Sequence, residues 1–392
     1  MSSGGAGDPA PAAARALLLG NAAIGCGVLV APGALNDLSA SLSVSVAAAG
    51  QLVTLGAVAM GAGAPLMAVW MGNWDRRRLL VAALLWFAAG HALSALAPSL
   101  GVLLPLRAAT VLAAAAYTPQ AAAAIGVLSR PEQRGRAITT VFLGWSVASV
   151  VGMPMGAVIG ETAGWRWAFA AVSVLALVAA WAVWRTVPDG VRPPPLVLRD
   201  WRAVLASPPL MGIVAVTALS AAGQFTLMSY LAPYYREVLG ADAGRIGLLF
   251  FWFGLFGVAG NVLLARVIDR VGAASCATLA VLAMAVSLML WPLAGNALTM
   301  ALVLVPWGLG CFAANSAQQA RLAAAAPGSA PALMAMNTSA IYIGQGVGAA
   351  GGGAMAAAAG LTGLWPVALA WMGLAVMLSA RLGRAAGGGA GR

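Results

Sequence analysis

Long apolar runs alternate with short gaps carrying Arg, Gly or Pro from near the start of the chain to near its end. Runs near 15–35, 47–71, 79–97, 101–128, 137–160 and 165–187 come first, and runs near 209–234, 244–267, 273–294, 298–325, 330–357 and 361–381 follow a break. Each is long enough to cross about 30 Å of hydrocarbon as a helix. Helix is required, because a backbone facing lipid must satisfy its own N–H and C=O groups. Runs of this length do not fit the roughly ten-residue alternating strands of a membrane barrel. The pattern predicts an all-α integral membrane protein of twelve transmembrane helices.

Charge then orients the spans. The 21 basic residues are all arginine, and 17 of them fall in every second gap: Arg15, Arg76 to Arg78, Arg130 with Arg134 and Arg136, Arg185 to Arg202, Arg266 with Arg270, Arg321, and the tail from Arg381. Positive charge is retained on the cytoplasmic side, so these gaps face in and both termini are expected in the cytoplasm. A charged fraction of 8% against 62% hydrophobic residues sets the chain apart from soluble domains, which carry about 25% charged residues. The net charge of +11 is spread over seven short loops, which argues against nucleic acid and for contact with membrane lipids.

The break at 188–208 carries Pro193-Pro194-Pro195 and reads as a cytoplasmic linker between two six-helix halves, 15–187 and 209–384. Within it, Val197–Leu205 either lies flat in the interface with Trp201 as anchor or is plain linker. Residues 1–14 are expected to be disordered and 385–392 to form a flexible tail. Asp75-Arg76 ends the second span and Asp269-Arg270 ends the eighth, and this recurrence points to a repeat. Two pseudo-symmetric halves with a substrate site between them is a transporter architecture.

No enzyme chemistry is visible. Cys26, Cys276 and Cys311 lie singly in apolar runs, so no metal site or disulfide framework is expected. The single histidine does not make a metal cluster or a Ser-His-Asp set, and without lysine there is no Walker loop, so neither a metal nor another cofactor is expected.

The motifs point further. Gly144-Trp145-Ser146 through Gly152-Met153-Pro154-Met155-Gly156 resembles the antiporter motif of the major facilitator superfamily. Pro131-Glu132-Gln133-Arg134-Gly135-Arg136-Ala137, Gly164-Trp165-Arg166-Trp167-Ala168-Phe169, and Pro306-Trp307-Gly308 through Gln318-Gln319-Ala320-Arg321 with Pro327 are similar to other segments of its twelve-helix drug:proton antiporter group, near the arabinose-efflux-permease branch. The resemblance covers nearly everything from Arg15 to Arg384. It implies a bacterial inner-membrane carrier that exports small organic molecules by alternating access with proton antiport, as a monomer. An uncoupled facilitator or importer, and a transport-deficient sensor on the same fold, remain as alternatives.

By the same resemblance, Asp75 and Arg76, with Asp269 and Arg270, belong to a conformational latch, although Met71 and Ala265 stand where the signature loop has glycine. Gly152, Pro154 and Gly156 complete the conformational set. Leu104-Pro105-Leu106-Arg107 resembles the motif whose Arg serves proton coupling, and Arg107 is the one Arg inside a span. None of the ten carboxylates falls in the middle of a span. The groups left for proton handling beside Arg107 are His91 and Asp37, with Glu161 at the outer end of the fifth helix. Candidate substrate contacts near mid-span are Asn21, Tyr117, Gln120, Trp145, Gln224, Tyr230, Asn315, Gln318, Asn337 and Tyr342, each equally suited to tying two helices together. A few hydrogen-bonding groups in an apolar pocket suit a neutral or lipophilic ligand.

Overall fold

The computed structural model describes residues 10–71, 74–130, 133–192, 202, 204–326 and 330–388. Pro131-Glu132, Pro193 to Pro195 and Trp201 lie outside these residues. The helices, in chain order, are α1 (Ala10–Gly33), α2 (Leu35–Ser41), α3 (Val46–Trp70), α4 (Arg76–Ala95), α5 (Leu100–Leu128), α6 (Arg134–Ala163) and α7 (Trp165–Thr186) in the first half. The second half has α8 (Pro208–Met228), α9 (Leu231–Glu237), α10 (Ala243–Val271), α11 (Ala273–Leu290), α12 (Ala297–Ala325), α13 (Ala330–Ala359) and α14 (Leu364–Gly388). No strand occurs among the described residues.

Eleven helical segments among the described residues are long and apolar enough to cross a membrane. The helix α13 completes twelve crossings by its place in the fold; its glycines dilute its hydropathy. Two expectations about the ends need correcting. The first helix begins at Ala10, so 10–14 are helical rather than disordered, with Ala13 fully buried. The last helix runs to Gly388, into the segment expected to be a flexible tail.

The first and seventh spans are each broken near their Arg-poor end. A long helix stops at Gly33 or Met228 and a seven-residue helix follows, α2 or α9. The two short helices occupy equivalent positions, since Asn36 and Ala232 stand 196 residues apart and so do the ends of the helices. Helix pairs follow the same repeat. In the first half α1 packs on α6 and α4 on α7; in the second, α8 packs on α13 and α11 on α14. The halves meet through α3 against α13 and α6 against α10, which the repeat also interchanges. This is the expected pair of pseudo-symmetric six-helix halves.

Small residues permit these contacts, because lipid supplies no hydrophobic force between helices and packing must do the work. Along α6, Gly144, Gly152, Gly156 and Gly160 all face α1 and its extension. A methyl at Gly156 would sit 2.6 Å from the Val30 carbonyl oxygen, and one at Gly152 would sit 3.0 Å from the Cys26 Cα. Across the halves, a methyl at Gly254 of α10 would lie 2.7 Å from the Ser149 carbonyl oxygen of α6.

Candidate functional site

Neutral polar ties occupy equivalent depths in the two halves. In the first half the Asn21 amide donates to the Val141 carbonyl at 3.0 Å, while Asn21 Oδ1 accepts from Thr118 Oγ1 at 2.9 Å. Trp145 Nε1 donates to Thr118 Oγ1 at 3.3 Å. In the second half Thr217 Oγ1 donates to Asn337 Oδ1 at 2.7 Å, and the Asn337 amide reaches Asn315 Oδ1 at 3.4 Å. Thr217, Asn337 and Asn315 are the repeat partners of Asn21, Val141 and Thr118. The carbonyl of Leu17 accepts from Tyr117 at 3.4 Å, and its repeat partner Ile213 accepts from the Gln318 amide at 3.1 Å. The tie between positions 21 and 141 thus recurs as 217 to 337, while the other ties involve equivalent positions with different partners.

This placement sorts the candidate substrate residues. Asn21, Trp145, Asn315, Gln318 and Asn337 come together as two polar rows, which Thr118 and Thr217, not foreseen from the sequence, complete. Thr217 was recognisable only through the 196-residue offset from Asn21. Tyr117 is fully buried as a tie between α5 and α1, and Tyr230 is buried with its hydroxyl on the Ala349 carbonyl at 2.9 Å. Tyr342 joins the first half's core from across the interface. Gln120 is buried, and Gln224 is half-buried on α8. Toward the Arg-rich end, a groove of about 320 Å³ lies among Leu18 of α1, Leu143, Ser146, Val147, Val150 and Val151 of α6, and Val258 of α10.

The proton-coupling candidates divide. Arg107 is 2% exposed, with Nη1 on the Gly27 carbonyl at 2.7 Å and Nη2 on the Val28 carbonyl at 2.9 Å. The second bond has a local cause. Residue 32 is Pro, inside α1, so Val28 has no i+4 amide to accept from. The guanidinium fills that vacancy from the neighbouring helix. In the second half Met228 stands at the position of Pro32 and Leu304 near that of Arg107, so neither the break nor its remedy is repeated. His91 is fully buried between Phe87 and Phe169. Its Nδ1 lies 2.9 Å from the Phe87 carbonyl and its Nε2 3.4 Å from Arg107 Nη1. These contacts suit the neutral tautomer that donates from Nδ1 and accepts at Nε2. Asp37 stands apart from the couple: its Oδ2 accepts the Trp165 backbone N–H at 2.6 Å and so caps α7.

The conformational motif is asymmetric too. Asp75 N-caps α4 by accepting from Arg78 N at 3.1 Å, and its other oxygen accepts from Gly190 N at 2.6 Å. Arg76 is buried with Nη1 on the Met71 and Trp74 carbonyls. Asp75 therefore ties the loop to the segment that follows α7, within its own half. Asp269 and Arg270 instead ride on α10, exposed, and Gly272 at φ +83° makes the turn into α11.

Comparison with known proteins agrees with this architecture. A family profile described as Major Facilitator Superfamily matches residues 17–349 and again 213–386. The "Inner membrane transport protein YdhP" of Escherichia coli (strain K12) is 29% identical over 88% of this chain and 88% of its own length. A "Chloramphenicol resistance protein" of Streptomyces lividans is 34% identical over 63% of this chain and 64% of its own. Among solved structures, a bacterial homologue of the human lysosomal transporter Spinster, inward-facing and unoccupied, superposes with a TM-score of 0.77 at 18% identity, covering 97% of this chain and 98% of that one. Helices that repeat at an offset near 196 residues, a polar tie that repeats with them and a profile that spans both halves lead to one conclusion: this chain belongs to the Major Facilitator Superfamily.

Proposed function

We propose that the chain is a secondary exporter of small neutral or lipophilic organic molecules, working by alternating access with proton antiport. The carrying observation is the pair of repeat-related polar rows, Asn21–Thr118–Trp145 and Thr217–Asn315–Asn337–Gln318, set among apolar helices at matched depth in the two halves. Such rows offer hydrogen bonds from both sides to a ligand between the halves, and they carry no charge. A neutral ligand crosses such a site without leaving an ion unpaired in a medium of low dielectric. The names of the relatives, chloramphenicol resistance in one and "Probable sugar efflux transporter" of Helicobacter pylori (strain G27) in another, support export of uncharged or weakly charged molecules.

The absence of any mid-span carboxylate favours a second reading, an uncoupled facilitator. Acridine-dye dequenching in energised everted vesicles decides between them, over a panel of sugars, nucleosides and lipophilic drugs. Antiport predicts proton release from the vesicle on substrate addition, with saturable substrate uptake that an uncoupler abolishes. Saturable uptake without dye response establishes the facilitator, and no uptake of any compound in the panel counts against transport of this substrate class.

A further inference from the structure

We propose that Glu161 and Arg236 form a one-sided latch that holds the outer gate of this carrier shut and sets how often the cavity between the halves opens outward. The proposal rests on the transport reading above, with the Arg-poor end outward.

Among the described residues, two polar ties between the halves lie at the Arg-poor end. The first is the Asn36 amide on the Ala232 carbonyl at 3.1 Å, joining α2 to α9. These residues are repeat partners, so the bond crosses the pseudo-twofold axis itself. The second is the ion pair between Glu161, in the last turn of α6, and Arg236 of α9. Its repeat counterparts would be Ala357 and Ala40, which carry no charge. The latch therefore exists once, to one side of the axis.

Each partner is mounted on a rigid base. The helix α2 is fixed to the first half by the Asp37–Trp165 cap and by Trp165 Nε1 on Ser41 Oγ at 3.2 Å. The helix α9 is fixed to the second half by the Tyr230–Ala349 bond and by Tyr234 against the Trp291 ring at 5.6 Å. An opening of the outer gate that moves the halves as bodies must separate α9 from α6, and with it Arg236 from Glu161. The nearby acids have other engagements. Asp37 lines the same small cavity as Glu161 and caps α7, while Asp242 caps α10 and pairs with Arg245 at 3.5 Å. Glu161 also sits at a helix C-terminus, where the helix dipole disfavours an anion and a cation partner offsets it. Both side chains are about one-third exposed, 39% for Arg236 and 34% for Glu161. Pairs of that exposure shift an equilibrium by roughly two- to fivefold. That magnitude suits a latch that must release on every cycle.

The test is outward accessibility, which needs no substrate, so failure of the latch is distinguishable from failure of the export reading. Ala157 lines the cavity beside Glu161 and is buried in this closed arrangement. A cysteine at Ala157 is labelled from outside with a membrane-impermeant thiosulfonate; the native Cys26, Cys276 and Cys311 are buried and report unfolding if they react. Glu161→Gln and Arg236→Gln are each expected to speed labelling by roughly threefold. The exchange Glu161→Arg with Arg236→Glu is expected to restore the starting rate. Unchanged labelling in both single variants overturns the proposal, and so does an acceleration that the exchange leaves in place. If a single variant unfolds, the exchanged pair decides alone: labelling at the starting rate supports the latch and faster labelling overturns it.

Discussion

The bond from Arg107 to α1 makes a quantitative prediction. Pro32 removes the amide that would serve the Val28 carbonyl, and Arg107 Nη2 replaces it at 2.9 Å. Arg107→Met keeps most of the side-chain volume and removes the guanidinium bonds to Gly27, Val28 and His91. Gly27 sits four residues before Ala31, which carries an amide, so its carbonyl keeps a helical donor. The carbonyl of Val28 is left buried without one, at a cost of about 1–3 kcal/mol. Pro32→Ala supplies the missing amide. In that background the same Arg107→Met change should therefore cost less, and the double-mutant cycle should show a coupling of about 1–2 kcal/mol between residues 32 and 107. Chemical unfolding in detergent micelles, followed through the 14 tryptophans, measures all four corners. Equal costs in the two backgrounds, within about 0.5 kcal/mol, would refute the argument that Arg107 repairs the proline break. Transport of the same four proteins then separates two roles for Arg107. Flux lost in Arg107→Met and regained with Pro32→Ala means the arginine acts by shaping α1. Flux lost in both backgrounds means its charge is used. Full flux in Arg107→Met would exclude Arg107 from transport altogether.

Further outcomes follow from the same geometry. Gly156→Ala should lower stability by about 1–3 kcal/mol because its methyl meets the Val30 backbone, whereas Gly351→Ala, with nothing within 4 Å, should be neutral or slightly stabilising; thermal unfolding in detergent compares them. Asp75→Ala should lose a helix cap worth about 1 kcal/mol, while Asp75→Asn keeps an acceptor and most of that energy, and Asp269→Asn should cost nothing measurable in the same assay. Asp75→Asn is also expected to slow interconversion of the two states more than it weakens binding, read as a fall in kcat at steady KM; unchanged rates would remove the latch role carried over from the family motif. Asn337→Leu should weaken substrate binding and raise KM, since it strips Thr217 and Asn315 of their shared partner; an unchanged KM would take this row out of the binding site.

The sequence alone determined the class of protein, the number of spans and the two-half organisation. Those properties depend on hydropathy and run length, which are summed over many residues and survive any detail of packing. It also singled out Arg107, because a charge inside an apolar run is conspicuous without any neighbours in view. Its partner was out of reach. That Pro32 empties a carbonyl which Arg107, 75 positions later, fills depends on how α5 leans on α1. Polar candidates met the same limit: Asn21 and Tyr117 looked alike as mid-span polar residues, yet one joins a polar row and the other closes a contact between α5 and α1. Helix orientation about its own axis decides that, and in spans of Ala, Gly and Leu with little amphipathic contrast the sequence carries almost no signal for it. Glu161 and Arg236 are the extreme case, two ordinary charges near span ends in different halves. Only the closure of one half against the other brings them together, because a contact across a pseudo-twofold axis depends on the relative placement of two bodies, which no local pattern along the chain encodes.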